Sequence, residues 1–163
     1  MELLRDKVLN DAYMVTKLIN MLKRGELRLD HPQQRDGGQW NKVARDGLIV
    51  TLVREEDVDS IKICEQLKDN GVTLWVIDGK QRLSTIQMFI KGVFKLGRTI
   101  EFPIIKYQVA KVDDKGKLIK DDDGELTYDI VEFDMCGKGY DDLPDEFKER
   151  IDNYKVNVVK HLN

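Results

Sequence analysis

The stretch VTLWVIDGKQRLSTI, residues 72–86, constrains the fold most strongly, because it joins two kinds of periodicity with no linker between them. Val72 to Val76 read as a buried strand, which Asp78 and Gly79 interrupt. Leu83, Ile86 or Gln87, and Ile90 then recur at helical spacing until Gly92. A helix must therefore begin where the strand stops.

A strand-to-helix junction presents unpaired backbone N–H groups and the positive end of the helix dipole at one point, which attracts anions. Gly79 lets the backbone come close to a ligand, Lys80 and Arg82 add charge, and Ser84 and Thr85 add hydroxyl donors. Arg82 can grip a phosphate through two parallel N–H bonds. Asp78 has three available roles: holding Arg82, ligating a metal, or accepting from a sugar hydroxyl. Two cations in a first helical turn oppose the dipole by roughly 0.3 to 1 kcal/mol each, a penalty that a bound anion offsets. The residues leave a plainer reading open, in which Asp78 caps the helix and Lys80, Gln81 and Arg82 form a solvated first turn. The spacing is not that of a Walker A loop, since seven residues separate Gly71 from Gly79 and Gln81 follows Lys80.

The rest of the chain alternates helices and strands. Val8, Ala12, Val15, Ile19 and Leu22 predict a first helix closed by Gly25, and ELRL a short strand. HPQQRDGGQW reads as a polar loop, and Lys42 to Arg54 as a second helix burying Leu48, Ile49, Leu52 and Val53. SIKICEQL pairs with VTLWVID through a tight Asn70-Gly71 turn. TIEF, PIIKYQVAKV and LTYDIVEF read as strands, the last two joined by a long hairpin whose tip holds Asp121, Asp122 and Asp123. Those acids lack the alternation, glycine and glutamate of an EF-hand and predict a solvated tip. DDLPDEFKERI predicts a short helix with Pro144 in its first turn, and KVNVV a closing strand; no internal repeat is evident.

With 163 residues, 41% of them apolar and 35% charged, the chain suits one soluble domain spanning 1–163 and leaves no room for a second catalytic one. No apolar run is long enough for a membrane span, and charges interrupt the N-terminus where a signal peptide would be apolar, so a cytoplasmic protein with no membrane partner is expected. Cys64 and Cys136 lie far apart and the histidines are His31 and His161, which makes a zinc site improbable and Cys64 a small packing residue. A net charge of −3 argues against DNA binding by bulk attraction.

A second polar constellation, HPQQRDGGQW, sets Gln34 and Arg35 beside Gly37 and Gly38, with Trp40 as an apolar anchor for the following helix. Taken together, QR before a tryptophan, LI at the start of a helix, and V-I-D-G-K-Q-R-L-S-T-I leading into F-I-K-G resemble the N-terminal domain of GmrSD-type modification-dependent restriction endonucleases. That family's signature is Asp-Gly-Gln-Gln-Arg. The similarity runs from about Met14 to Val159 and takes in LPDEFKERIDNYKVNVV. It implies an α+β, ParB/sulfiredoxin-like domain with a small mixed sheet flanked by helices.

By this resemblance the chain binds a nucleoside triphosphate, with hydrolysis in several members, in support of defence against phage through modified DNA. Asp78, Gly79, Gln81 and Arg82 match the signature, and Gln34 and Arg35 lie across the same pocket. Arg35 and Arg82 then hold phosphates, Gln81 orients a water, and Asp78 holds Mg2+ or Arg82. Lys80 departs from the signature's first glutamine, and the Arg35-to-Trp40 spacing is one residue longer than the family pattern. Family members continue into a helical region and often a nuclease domain, so DNA cleavage is not expected of this chain alone; a nuclease domain or subunit is the expected partner. Two other readings stand beside an NTPase: a non-enzymatic ParB-like DNA-binding module of a phage or mobile element, and a small metal-dependent nuclease working through Asp78. The last is weakened by the lack of a second carboxylate.

Overall fold

Residues Lys7–Met14, expected to open a helix, form strand β1, and the helix α1 starts only at Val15 and runs to Arg24. The computed structural model describes residues 7–31, 40–68 and 71–162. β1 is extended because β7 (Lys155–Leu162), almost the whole chain away, supplies an antiparallel ladder for all eight of its residues, from Lys7↔Leu162 to Met14↔Lys155. Val8 and Ala12 suit either state, and no side chain caps α1 at Met14, so the true helix start carried no local signal. Instead the Val15 N–H donates to the Tyr154 carbonyl (2.9 Å) and Thr16 Oγ1 to the Asp152 carbonyl (2.7 Å).

The remaining elements are β2 (Leu27–Arg28), α2 (Lys42–Arg54), β3 (Ile61–Lys68), β4 (Gly71–Asp78), α3 (Lys80–Ile90), β5 (Ile104–Ala110), β6 (Tyr128–Asp134) and α4 (Asp145–Asp152), with a 3-10 turn at Tyr140–Asp142. A five-stranded sheet has the order β1-β7-β3-β4-β2, and β5 pairs with β6 in a separate two-stranded sheet. The larger sheet is mixed, since β7 runs parallel to β3 and β2 parallel to β4. This is the expected α+β arrangement. The Asn70 half of the expected turn lies outside the described residues; Gly71 opens β4.

α2 has the predicted limits because Asn41 Oδ1 accepts from the Ala44 N–H at 2.8 Å, a good N-cap. One core holds Leu18 of α1, Ile49 and Leu52 of α2, Leu83 and Phe89 of α3, and Phe147 and Ile151 of α4, against Ile61, Ile63, Val76, Val156 and Val158 of the sheet. The helices thus cover that face. Trp40 packs on the same core from the start of α2, as its anchoring role requires. Phe147 also meets Tyr107 and Phe133 edge-on, at 5.0 and 5.4 Å between ring centres, and this joins the two-stranded sheet to α4. Cys64 and Cys136 are both half-buried free thiols.

Two stretches depart from expectation. TIEF is not a strand: Phe102 takes φ 55, and Arg54 Nη2 donates to the Phe102 and Ile104 carbonyls at 2.7 and 3.2 Å, so extended backbone begins only at Ile104. The long connection between β5 and β6 is not one hairpin tip but two small lobes, closed by the bridges Val112↔Leu118 and Lys120↔Leu126. They repeat one turn. Asp113 Oδ1 accepts from the N–H groups of Lys115 and Lys117, and Asp121 Oδ1 from those of Asp123 and Glu125, each at 2.9 Å. Gly116 and Gly124 supply the positive φ in each. The carboxylates bond their own backbone, and no group of three metal-ligating side chains occurs among the described residues.

Asp46 is a buried carboxylate that sequence pattern did not single out. Only 1% exposed, it accepts from the Gly97 N–H at 3.0 Å and from Arg45 Nε at 3.3 Å, tying α2 to the chain beyond α3. Asp46→Ala is expected to lower unfolding free energy by about 2 kcal/mol in urea denaturation, the scale of a lost hydrogen bond to a charged group. Tyr140 donates to both carboxylate oxygens of Asp152, at 2.9 and 3.0 Å, and burial followed by that carboxylate pushes its phenol well above the ordinary value. A phenol that holds its proton more tightly when folded adds stability that is intact below the unfolded value, about 10, and lost as pH climbs above it. Thermal unfolding should therefore show a falling melting temperature above about pH 10, and Tyr140→Phe should flatten that fall.

Candidate functional site

β3 and β4 pair in regular antiparallel register from Lys68↔Gly71 to Ile63↔Val76, and then the register shifts: Lys62 faces Asp78, and Ile77 has no opposite residue. A bulge of this kind bends a strand and re-aims the side chains that follow it. It falls one residue before the Asp-Gly pair. Gly79 is the N-cap of α3 at φ 101 and ψ 12, in the left-handed region. A Cβ there would lie 2.9 Å from Ile61 Cγ1 and 3.1 Å from Arg82 Nη2, so the missing side chain makes room for β3 and for the arginine at once.

Gly79 gives the helix that follows no side-chain cap, and the first turn holds no acid but does hold Lys80 and Arg82. The plainer alternative, in which Asp78 caps the helix, is not adopted, because the cap position belongs to Gly79. Asp78 is exposed at the end of β4, and Arg82 Nη2 donates to the Ser60 carbonyl at 2.9 Å rather than to Asp78. Arg82 Nε is buried with no hydrogen-bond partner among the described residues. Lys80, Gln81 and Ser84 are half-buried, and Thr85 is 5% exposed. At 1.5 Å per residue Thr85 stands about 7 Å along the helix from Lys80, on its inward side.

Beside this turn lies a group that sequence reading missed. β2 pairs with β4 so that Arg28 opposes Trp75. The Arg28 guanidinium sits 4.9 Å over the Trp75 ring and binds both oxygens of Asp30, at 2.9 and 3.2 Å. His31 meets the same ring edge-on at 5.4 Å, and Trp75 Nε1 donates to Gln66 Oε1 at 2.9 Å. Arg28's hydrogen bonds, then Asp30's own backbone, hold the Asp30 carboxyl below its ordinary value, and Lys80 adds attraction. Asp30 therefore lies within electrostatic reach of the first turn of α3. Gln34 and Arg35 lie outside the described residues, but the chain enters that stretch from His31, against Trp75, and leaves it at Trp40, on the core. Nothing local in the sequence marked Trp75 or Asp30, since their role comes from the parallel pairing of β2 with β4.

Chemically, the junction offers a helix start that Gly79 leaves without a side-chain cap, a buried guanidinium nitrogen and a lysine partly balanced by Asp30, with one exposed carboxylate at the rim. Two grooves lie elsewhere, one of about 580 Å3 beside α4 and one of about 330 Å3 beside α2. Among the described residues no helix is long and apolar enough to cross a membrane. The family model described as "GmrSD restriction endonuclease, N-terminal domain" matches residues 15–163. Searches of curated proteins and of solved structures returned no match.

Gly79→Ala is expected to destabilise the fold by about 1–3 kcal/mol, from the left-handed backbone together with the crowding of Ile61. Chemical denaturation measures the loss, and Ile61→Val, which keeps the crowded Cγ1, should recover none of it.

Proposed function

Since the chain belongs to the GmrSD restriction endonuclease N-terminal domain family, we propose that the junction between β4 and α3 is a nucleoside triphosphate site. Membership places the chain in a restriction system. The observation that most supports the finer reading is the first turn of α3, which Gly79 leaves without a side-chain cap, with two cations, no acid and a buried Arg82 Nε that has no hydrogen-bond partner among the described residues. Such an arrangement is unfavourable empty and favourable around an anion.

In this reading Arg82, braced by the Ser60 carbonyl, presents its remaining guanidinium edge to the phosphates. The N–H groups of the first turn accept the negative charge, and Lys80 adds a flexible cation whose field Asp30 moderates. Gln81 orients the attacking water, and Gln34 and Arg35 are the further phosphate-binding residues that the family resemblance implies. Among the described residues no group of three metal-ligating side chains includes Asp78, so Asp78 would hold Mg2+ together with a bound triphosphate rather than by protein side chains alone. Mg2+ would supply charge neutralisation on the phosphate oxygens. DNA cleavage comes from a nuclease region or subunit, and this domain regulates it through the nucleotide.

Isothermal titration with the four NTPs and Mg2+ tests the proposal. Wild type should bind at least one of them, and Arg82→Ala should weaken that binding by tenfold or more, or about 1.4 kcal/mol. Absence of binding to all four by wild type would overturn it. Lys80→Gln, which restores the signature glutamine, should change phosphate release more than affinity.

A further inference from the structure

One edge of α2 borders an open groove, with Val43 exposed, Gly47 and Arg54 half-buried and Val50 buried at its floor. Val43, Gly47, Val50 and Arg54, spaced three or four apart, form one wall of the groove of about 330 Å3, and Ile100 and Phe102 form the other. Val43 is 58% exposed and Phe102 74%, while Phe102 holds the left-handed φ 55 that a bulky residue seldom adopts. Arg54 keeps it there through the Phe102 carbonyl. Gly47 sits in mid-helix where it lowers helix propensity, yet a Cβ there would meet nothing within 4 Å. No contact among the described residues requires this glycine, whereas a backbone approaching from outside would.

The groove is also electrically polarised along its length. At the Val43 end stand Lys42 and the positive start of α2, whose first turn has no acid. At the Phe102 end stand the exposed Glu56 and Glu101, and the Arg54 guanidinium there is engaged on two carbonyls. A surface with a projecting ring and positive charge at opposite ends complements itself under a two-fold rotation.

We propose that this face pairs with the same face of a second copy of the chain. The two α2 helices run antiparallel and approach closely at Gly47. Phe102 of each copy covers Val43 of the other, and Glu56 and Glu101 of each face Lys42 of the other. The helix dipoles oppose one another favourably in this arrangement.

Sedimentation equilibrium on the full chain tests this. Wild type should dimerise as its concentration rises. Phe102→Asn, which tolerates the left-handed backbone, and Gly47→Arg, which has open space and better helix propensity, should stay folded with an undiminished melting temperature and sediment as monomers. Glu101→Lys should weaken the dimer tenfold or more, and adding Lys42→Glu should recover it. A wild type monomeric up to its solubility limit overturns the pairing and leaves the face to a different partner. So does a dimer whose strength Phe102→Asn and Gly47→Arg leave unchanged.

Discussion

The absent side chain of Gly79 is the constraint on which the site and its surroundings depend. Ile61 and the Arg82 guanidinium both come within about van der Waals range of the point where a Cβ would be, so β3, β4 and α3 meet around a single atom's worth of space. Ile61 belongs to the core, and its place is set by the parallel pairing Ile61↔Val158. Arg82 is in turn braced on Ser60, the residue before Ile61. The position of the buried guanidinium is therefore fixed by the sheet, and only through the sheet by the helix that carries it.

β7 has a comparable place in the fold. It lies between β1 and β3, antiparallel to one and parallel to the other, so strands from both ends of the chain share one ladder system. Pairings of such long sequence separation form only after large loops close, which makes the sheet depend on β7, the strand that follows all its partners in sequence. α4, directly before β7, adds the aromatic contacts of Phe147 with the two-stranded sheet and the Tyr140 bond to Asp152. One corner of the fold thus holds both sheets and the start of α1.

Elements with their own local signals were legible in the sequence. α2 has its Asn41 cap, β3 and β4 carry apolar runs of strand length, and α4 follows Pro144 with acids in its first turn. β1 was misread because its apolar residues fit either period and its partner strand lies at the far end of the chain. TIEF was misread because a hydrogen bond from Arg54, in another element, turns the backbone at Phe102. The pair of lobes between β5 and β6 was within reach, since Asp-Asp-x-Gly-x-Leu occurs twice, at residues 113–118 and 121–126. Asp46 was not, because a carboxylate on a helix gives no sign of burial until Gly97 is brought to it.

What the sequence determined by itself is the junction: a strand, an Asp-Gly break and a helix with two cations in its first turn, all consequences of residue type and spacing over some fifteen positions. It also determined which family the chain resembles. The tertiary structure alone decided that Gly79 rather than Asp78 takes the cap position, that Arg82 turns to Ser60, that Arg28 lies over Trp75, and that Asp30 comes within electrostatic reach of Lys80. The physical reason is range. Propensity and periodicity act over a few residues, whereas the bulge at Ile77, the approach of Ile61 and the neighbours of Lys80 come from strands that the chain reaches only by folding.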